Sequence, residues 1–125
     1  RFLNNKARFD AVCRVNPLPA PGLMELVEAE KYDSPEADAL LDALLPQDLD
    51  ALVLGCTHYP FAAKTISRLL GENTRLYDGG IGTARHTRRR LEDAGLLRQG
   101  EGELIIETSL PQTRDLCLSL LEAKL

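Results

Sequence analysis

Ala51-Leu-Val-Leu54 runs directly into Gly55-Cys56-Thr57-His58-Tyr59-Pro60, and this junction constrains the fold more than any other part of the chain. A short apolar run with a β-branched residue, bounded by Asp50 and Gly55, reads as a strand buried on both faces of a parallel sheet. Gly55 allows a tight turn. Pro60 suits the first turn of a following helix, where a missing N–H costs nothing. Phe61, Ala62, Ile66, Leu69 and Leu70 then recur at helical spacing until Gly71 ends the pattern. A thiol and an imidazole are therefore placed where a strand ends and a helix begins, the position at which α/β proteins do chemistry.

The rest of the chain alternates strand-like and helix-like segments, which predicts an α/β fold with a parallel sheet and flanking helices. Residues 1–9 read as the tail of a helix and 10–15 as a strand. Pro17-Leu-Pro-Ala-Pro21-Gly22 is a loop leading to a short helix from Leu23 to about Glu30. Ser34 and Pro35 start a helix in which Ala37, Leu40, Leu41, Leu44 and Leu45 form an unbroken apolar stripe, ended by Pro46. After the helix that follows Pro60 come a strand at 75–77, a helix over 82–94, a strand at 103–107 and a helix over 111–123. The chain contains no internal repeat and no low-complexity linker.

Near a helix start, Cys56 feels unpaired backbone N–H groups and the positive end of the helix dipole, which favour the reactive thiolate. His58, two residues on, is placed to trade a proton with that sulfur or with a substrate. The same spacing also fits a buried, inert cysteine beside a histidine that caps the helix.

Leu54-Gly-Cys-Thr-His-Tyr-Pro60, preceded by Pro21-Gly-Leu-Met-Glu-Leu-Val-Glu28 and followed by Asp78-Gly-Gly80, resembles the second half of bacterial glutamate racemases, and the match covers nearly the whole chain. The related aspartate and hydantoin racemases share the Gly-Cys start but not usually the His-Tyr-Pro continuation. Ala20 stands where the family often has a cysteine, which is not one of its two catalytic thiols.

The resemblance implies cofactor-independent and metal-independent racemisation of glutamate by two thiols on opposite faces of the α-carbon. Inversion requires deprotonation on one face and reprotonation on the other. Cys56 matches the second of these thiols, His58 the histidine that assists it, Thr57 a substrate-contacting position and Glu28 an acidic residue near the site, expected with Thr57 to bind substrate. Glu28 also reads as a solvated helix carboxylate. The family's first cysteine and its Asp-Ser pair have no counterpart here. Cys13 falls in an expected strand, and Cys117 falls on the expected buried face of the last helix.

The chain begins at Arg1 inside a helical pattern, so part of an enzyme is expected, with the N-terminal half of the same enzyme as its missing partner. A homodimer is a further candidate assembly, and an isolated piece is expected to be less stable than an intact racemase or ordered only by self-association. The family's two-lobe architecture implies that residues 1–72 form most of a second α/β lobe and 73–125 return to complete the first. The competing reading is a non-catalytic α/β binding or interaction module, since half the acid/base machinery is absent.

Composition narrows the classes. At 125 residues and 44% hydrophobic content the chain can bury one modest core. A net charge of −4 argues against a generic nucleic-acid binder. Three cysteines without metal-ligand spacing fit a reducing compartment, and the resemblance implies the cytoplasm and a role in peptidoglycan supply. No apolar run approaches the ~20 residues of a membrane span.

Two segments imitate binding motifs. Asp78-Gly-Gly-Ile-Gly-Thr83 looks like a phosphate cradle but lacks a P-loop lysine and the dinucleotide fingerprint, so a tight turn with helix capping is expected. Arg85-His-Thr-Arg-Arg-Arg90 looks like a nucleic-acid patch, but a helix of this composition is expected to show its cations to solvent while Ala84, Leu91 and Ala94 face inward.

Overall fold

The structure is a computed structural model that describes Phe9 and residues 12–123. In chain order the elements are α1 (Leu23–Glu28), α2 (Pro35–Leu44), β1 (Ala51–Val53), a 3-10 turn (Tyr59–Ala62), α3 (Ala63–Leu70), β2 (Arg75–Tyr77), α4 (Gly80–Asp93) and α5 (Thr113–Glu122). The α/β expectation holds: β1 and β2 pair in parallel, joined through the 3-10 turn and α3 as parallel strands must be. The register sets Ala51 against Arg75, Leu52 against Leu76 and Val53 against Tyr77. Bonds from Arg75 N–H to the Asp50 carbonyl and from Leu54 N–H to the Tyr77 carbonyl prolong the ladder at either end.

Helix α2 forms where its sequence places it. Ser34 caps the start, its hydroxyl accepting from the Ala37 N–H at 3.2 Å, and Pro35 fills a position that needs no donor. Its stripe is the buried face: Ala37, Leu41 and Leu45 are buried, and Leu40 and Leu44 partly so. Helix α3 turns Ile66 inward and ends at Gly71, whose φ of 72° favours a residue without a Cβ. Leu23, Leu41, Leu45, Leu54, Ala62 and Ile66 form one core, in which complete burial of Leu23, Leu41 and Ile66 contributes about 1.5–3 kcal/mol each. Thr65, 1% exposed, is pinned through its hydroxyl, which lies 3.1 Å from both the Tyr32 carbonyl and Asp33 Oδ1.

Several expectations need correction. β1 is covered on one face only: Leu52 turns to the helices while Val53 is 69% exposed, because α1, α2 and α3 pack on a single side of a two-stranded sheet. The expected strand at 10–15 is not formed in its described part, where Val12 and Cys13 instead donate backbone bonds to the Phe9 carbonyl. Asp10 and Ala11 lie outside the described residues, as does the expected helix at 1–9 apart from Phe9. Residues 103–107 form no strand, since a strand needs a neighbour to bond.

The helix after Pro60 begins as the 3-10 turn, and its α-helical part starts only at Ala63. Helix α4 buries none of its residues, so Ala84, Leu91 and Ala94 do not face a core. Cys117, expected on a buried face, is exposed. All the buried apolar residues among those described lie between Leu23 and Ile66.

Asp78 closes the turn before α4, its Oδ1 accepting from the Gly80 N–H at 2.7 Å, while the cap position of the helix is Gly79, without a side-chain cap. A Cβ at Gly80 would come within 3.0 Å of that oxygen, so the turn favours glycine there. No helix among the described residues is long and apolar enough to cross a membrane.

Candidate active site

The end of β1 and the end of α1 converge on His58. Burial of Leu23 and Val27, one turn apart, fixes α1 against the 3-10 turn and leaves the next residue, Glu28, at the rim of the contact. On the other side, Leu54 is buried at the sheet end and Gly55 starts the loop that carries Cys56, Thr57 and His58 into the 3-10 turn. The Tyr59 hydroxyl donates to the Ala20 carbonyl at 3.5 Å, tying this turn to the segment before α1.

The imidazole bridges the two elements. Its Nε2 lies 3.3 Å from Glu28 Oε1. Its Nδ1 lies 3.7 Å from Cys56 Sγ and 3.5 Å from Thr57 Oγ1. The four residues singled out in the sequence, Glu28, Cys56, Thr57 and His58, thus stand in one cluster. Cys56 is half-buried, the His58 side chain is 28% exposed and that of Glu28 is 52% exposed, so the cluster is open to solvent on one side.

An imidazole whose Nε2–H faces a carboxylate presents the lone pair of Nδ1 to its other neighbours. In that tautomer Nδ1 accepts a hydrogen bond from the Cys56 thiol or from the Thr57 hydroxyl. With Nδ1 protonated, the ring is an imidazolium held between a carboxylate and a sulfur. Either state couples a thiol to a proton store within one side chain of it.

Sequence reasoning assigned no part to Tyr59, although it lies within the His-Tyr-Pro run. Its role in holding the turn depends on a contact with Ala20 that no local spacing reveals. No group of three or more His, Cys, Asp or Glu residues able to hold a metal ion occurs among the described residues.

No protein-family model matches the chain. Individual relatives do. A glutamate racemase from Stutzerimonas stutzeri is 42% identical over 75% of this chain and 37% of its own length. One from Deinococcus radiodurans is 49% identical over 70% of this chain and 32% of its own. One from Clostridium perfringens is 35% identical over 99% of this chain and 51% of its own.

Solved structures agree. A Thermus thermophilus glutamate racemase, crystallised with β-chloro-D-alanine, superposes on 96% of this chain and 48% of its own with a TM-score of 0.75 and 30% identity. A Bacillus anthracis glutamate racemase isoform covers 79% of this chain and 39% of its own with a TM-score of 0.66 and 26% identity. The chain spans no more than about half the length of these relatives. Shared sequence over most of its residues and a shared fold over nearly all of them place the chain in the glutamate racemase family.

Proposed function

We propose that the chain carries one half of a glutamate racemase active site, with Cys56 as one of two acid/base thiols. The observation that carries this reading is the line from Glu28 through His58 to Cys56, a carboxylate, an imidazole and a thiol in contact at a strand end. Family membership supplies the substrate class. As a thiolate, Cys56 takes the α-proton of L-glutamate, leaving the electron pair on a carbanion stabilised by the adjacent carboxylate. A second acid, on the opposite face and outside this chain, then delivers a proton to give D-glutamate. In the reverse direction Cys56–SH is the donor.

His58 positions the sulfur and holds its proton between turnovers, while Glu28 fixes the ring's orientation and tautomer. Glu28 acts through His58, although the resemblance pointed towards substrate. Thr57 lies at the mouth of the cluster and contacts substrate polar groups. Neither metal nor organic cofactor takes part.

Residues 1–72 belong to one lobe, which the pairing of β2 with β1 carries on through Tyr77 rather than ending it at 72, and the residues beyond belong to the other, with the complementary half of the enzyme completing the cleft. Supply of D-glutamate for peptidoglycan in the cytoplasm belongs to the same reading, and rests on family membership.

The test is racemisation followed by circular dichroism, with the chain co-produced with the portion of the C. perfringens relative that it does not match. Activity that disappears in Cys56→Ser supports the reading. Activity that survives Cys56→Ser overturns it.

A further inference from the structure

Helix α1 has six residues, its N-cap Gly22 offers no side-chain cap, and Glu28, the carboxylate that faces His58, is its last residue. A helix this short has little stability of its own, and its final turn frays unless something closes it. The closure is the paired one of a left-handed helix end. Lys31 N–H bonds to the Leu26 carbonyl at 2.8 Å and Glu30 N–H to the Val27 carbonyl at 3.0 Å.

The residue that turns left-handed for this closure is Glu30, with a φ of 57°. Glycine is the usual occupant of such a position, because a Cβ is strained there. Among the described residues Glu30 is the only non-glycine with a positive φ. A residue in that state persists where its surroundings hold it. Here α5 does so: the Ser119 hydroxyl donates to Glu30 Oε2 across 89 positions of sequence. A glycine would close the helix but could not make this bond. Among the described residues no other hydrogen bond joins the chain beyond Tyr77 to the part before it.

Glu28 stands in the turn that this closure fixes, and its one polar side-chain partner among the described residues is His58 Nε2. A shift of the last turn of α1 therefore moves the carboxylate away from the ring. We propose, on the reading of Cys56 and His58 as half of a racemase site, that Glu30 and Ser119 are positioning residues for that reaction. Ser119 of α5 holds Glu30 left-handed, Glu30 closes α1, and the closed helix end keeps Glu28 on His58. Neither residue touches substrate; both act through Glu28.

Kinetics of the full chain co-produced with the unmatched portion of the C. perfringens relative test this. Ser119→Ala and Glu30→Gly are each expected to lower kcat about three- to tenfold with KM unchanged, whereas Ser119→Thr, which keeps the hydroxyl, retains the parent rate. In a Glu28→Ala background neither change should lower kcat further, since each acts through a carboxylate already gone. Glu30→Gly also separates position from stability. Glycine suits a φ of 57°, so its urea midpoint should not fall below that of the parent although its kcat does.

A second readout needs no turnover. With isotopically labelled histidine, the Nε2–H proton of His58 bonded to Glu28 is expected as a slowly exchanging NMR signal in the parent and in Ser119→Thr. It should be lost in Ser119→Ala and Glu30→Gly.

Parent kcat in both Ser119→Ala and Glu30→Gly, or losses that add in full to that of Glu28→Ala, would overturn the positioning role. A parent complex that does not racemise would instead overturn the half-enzyme reading, and the His58 proton then decides the positioning role. Its persistence in Ser119→Ala and Glu30→Gly, or its absence from the parent, would overturn that role.

Discussion

Glu28 Oε1 lies 3.3 Å from His58 Nε2, so the last residue of α1 and the residue before the 3-10 turn form a carboxylate–imidazole pair. The other ring nitrogen faces the Cys56 sulfur at 3.7 Å. The pair depends on tertiary packing, because α1 reaches the turn only when Leu23 and Val27 are buried.

That relationship predicts graded losses in the complemented enzyme. His58→Asn removes the proton store and is expected to lower turnover by about a hundredfold or more, the range of a general acid/base group. Glu28→Gln keeps the shape but removes the charge that orients the ring, and about a tenfold loss is expected. Both losses should be larger in kcat than in KM. Circular dichroism rates for each enantiomer check this, and an unchanged rate in Glu28→Gln would return Glu28 to the status of a solvated carboxylate.

The start of α2 predicts a pH-dependent contribution to stability. Ser34→Ala loses the cap on Ala37 N–H and is expected to cost about 1 kcal/mol by urea unfolding. The Glu36 carboxyl is held below its ordinary range by its own backbone N–H first, then by the Ser34 hydroxyl and the Lys31 ammonium. A lowered folded value means that the charged form stabilises the fold at neutral pH, and that this is lost as pH falls through the folded value. The stability gap between the parent and Glu36→Gln is therefore expected to be widest near neutrality and to close on acidification. A gap that widened in acid would contradict the assignment.

Thr65 predicts a cost from one buried oxygen. Thr65→Val keeps the volume but leaves the Tyr32 carbonyl and Asp33 without their donor, and a loss of about 1–3 kcal/mol is expected. Thr65→Ser retains the hydroxyl and serves as the comparison. Equal unfolding midpoints for Thr65→Val and the parent would show that the hydroxyl holds nothing.

Local signals in the sequence located most elements of the first half. The stripe of α2 from Ala37 to Leu45 is the buried face, Gly71 ends α3, and Ala51–Val53 is a strand. The misreadings share a cause. Val53, Leu91, Leu104, Ile105 and Cys117 were all expected to be buried or paired, and all stand open. An apolar pattern records which face seeks cover, whereas burial requires the covering surface to be present.

The candidate site divides in the same way. Cys56, Thr57 and His58 are neighbours in the chain and so legible together. The contact of His58 with Glu28 joins two elements, and nothing in the spacing of either announces it.

The central claim is that Cys56 exchanges a proton with the α-carbon of glutamate. The most direct test follows α-proton exchange of L- and D-glutamate in heavy water by NMR, comparing the chain with Cys56→Ser, each joined by the complementary portion of the C. perfringens relative. With both thiols present, exchange from both enantiomers is predicted. In Cys56→Ser, exchange from L-glutamate should be lost, while washout from the D-enantiomer by the remaining base persists. Undiminished exchange from L-glutamate in Cys56→Ser would contradict the account.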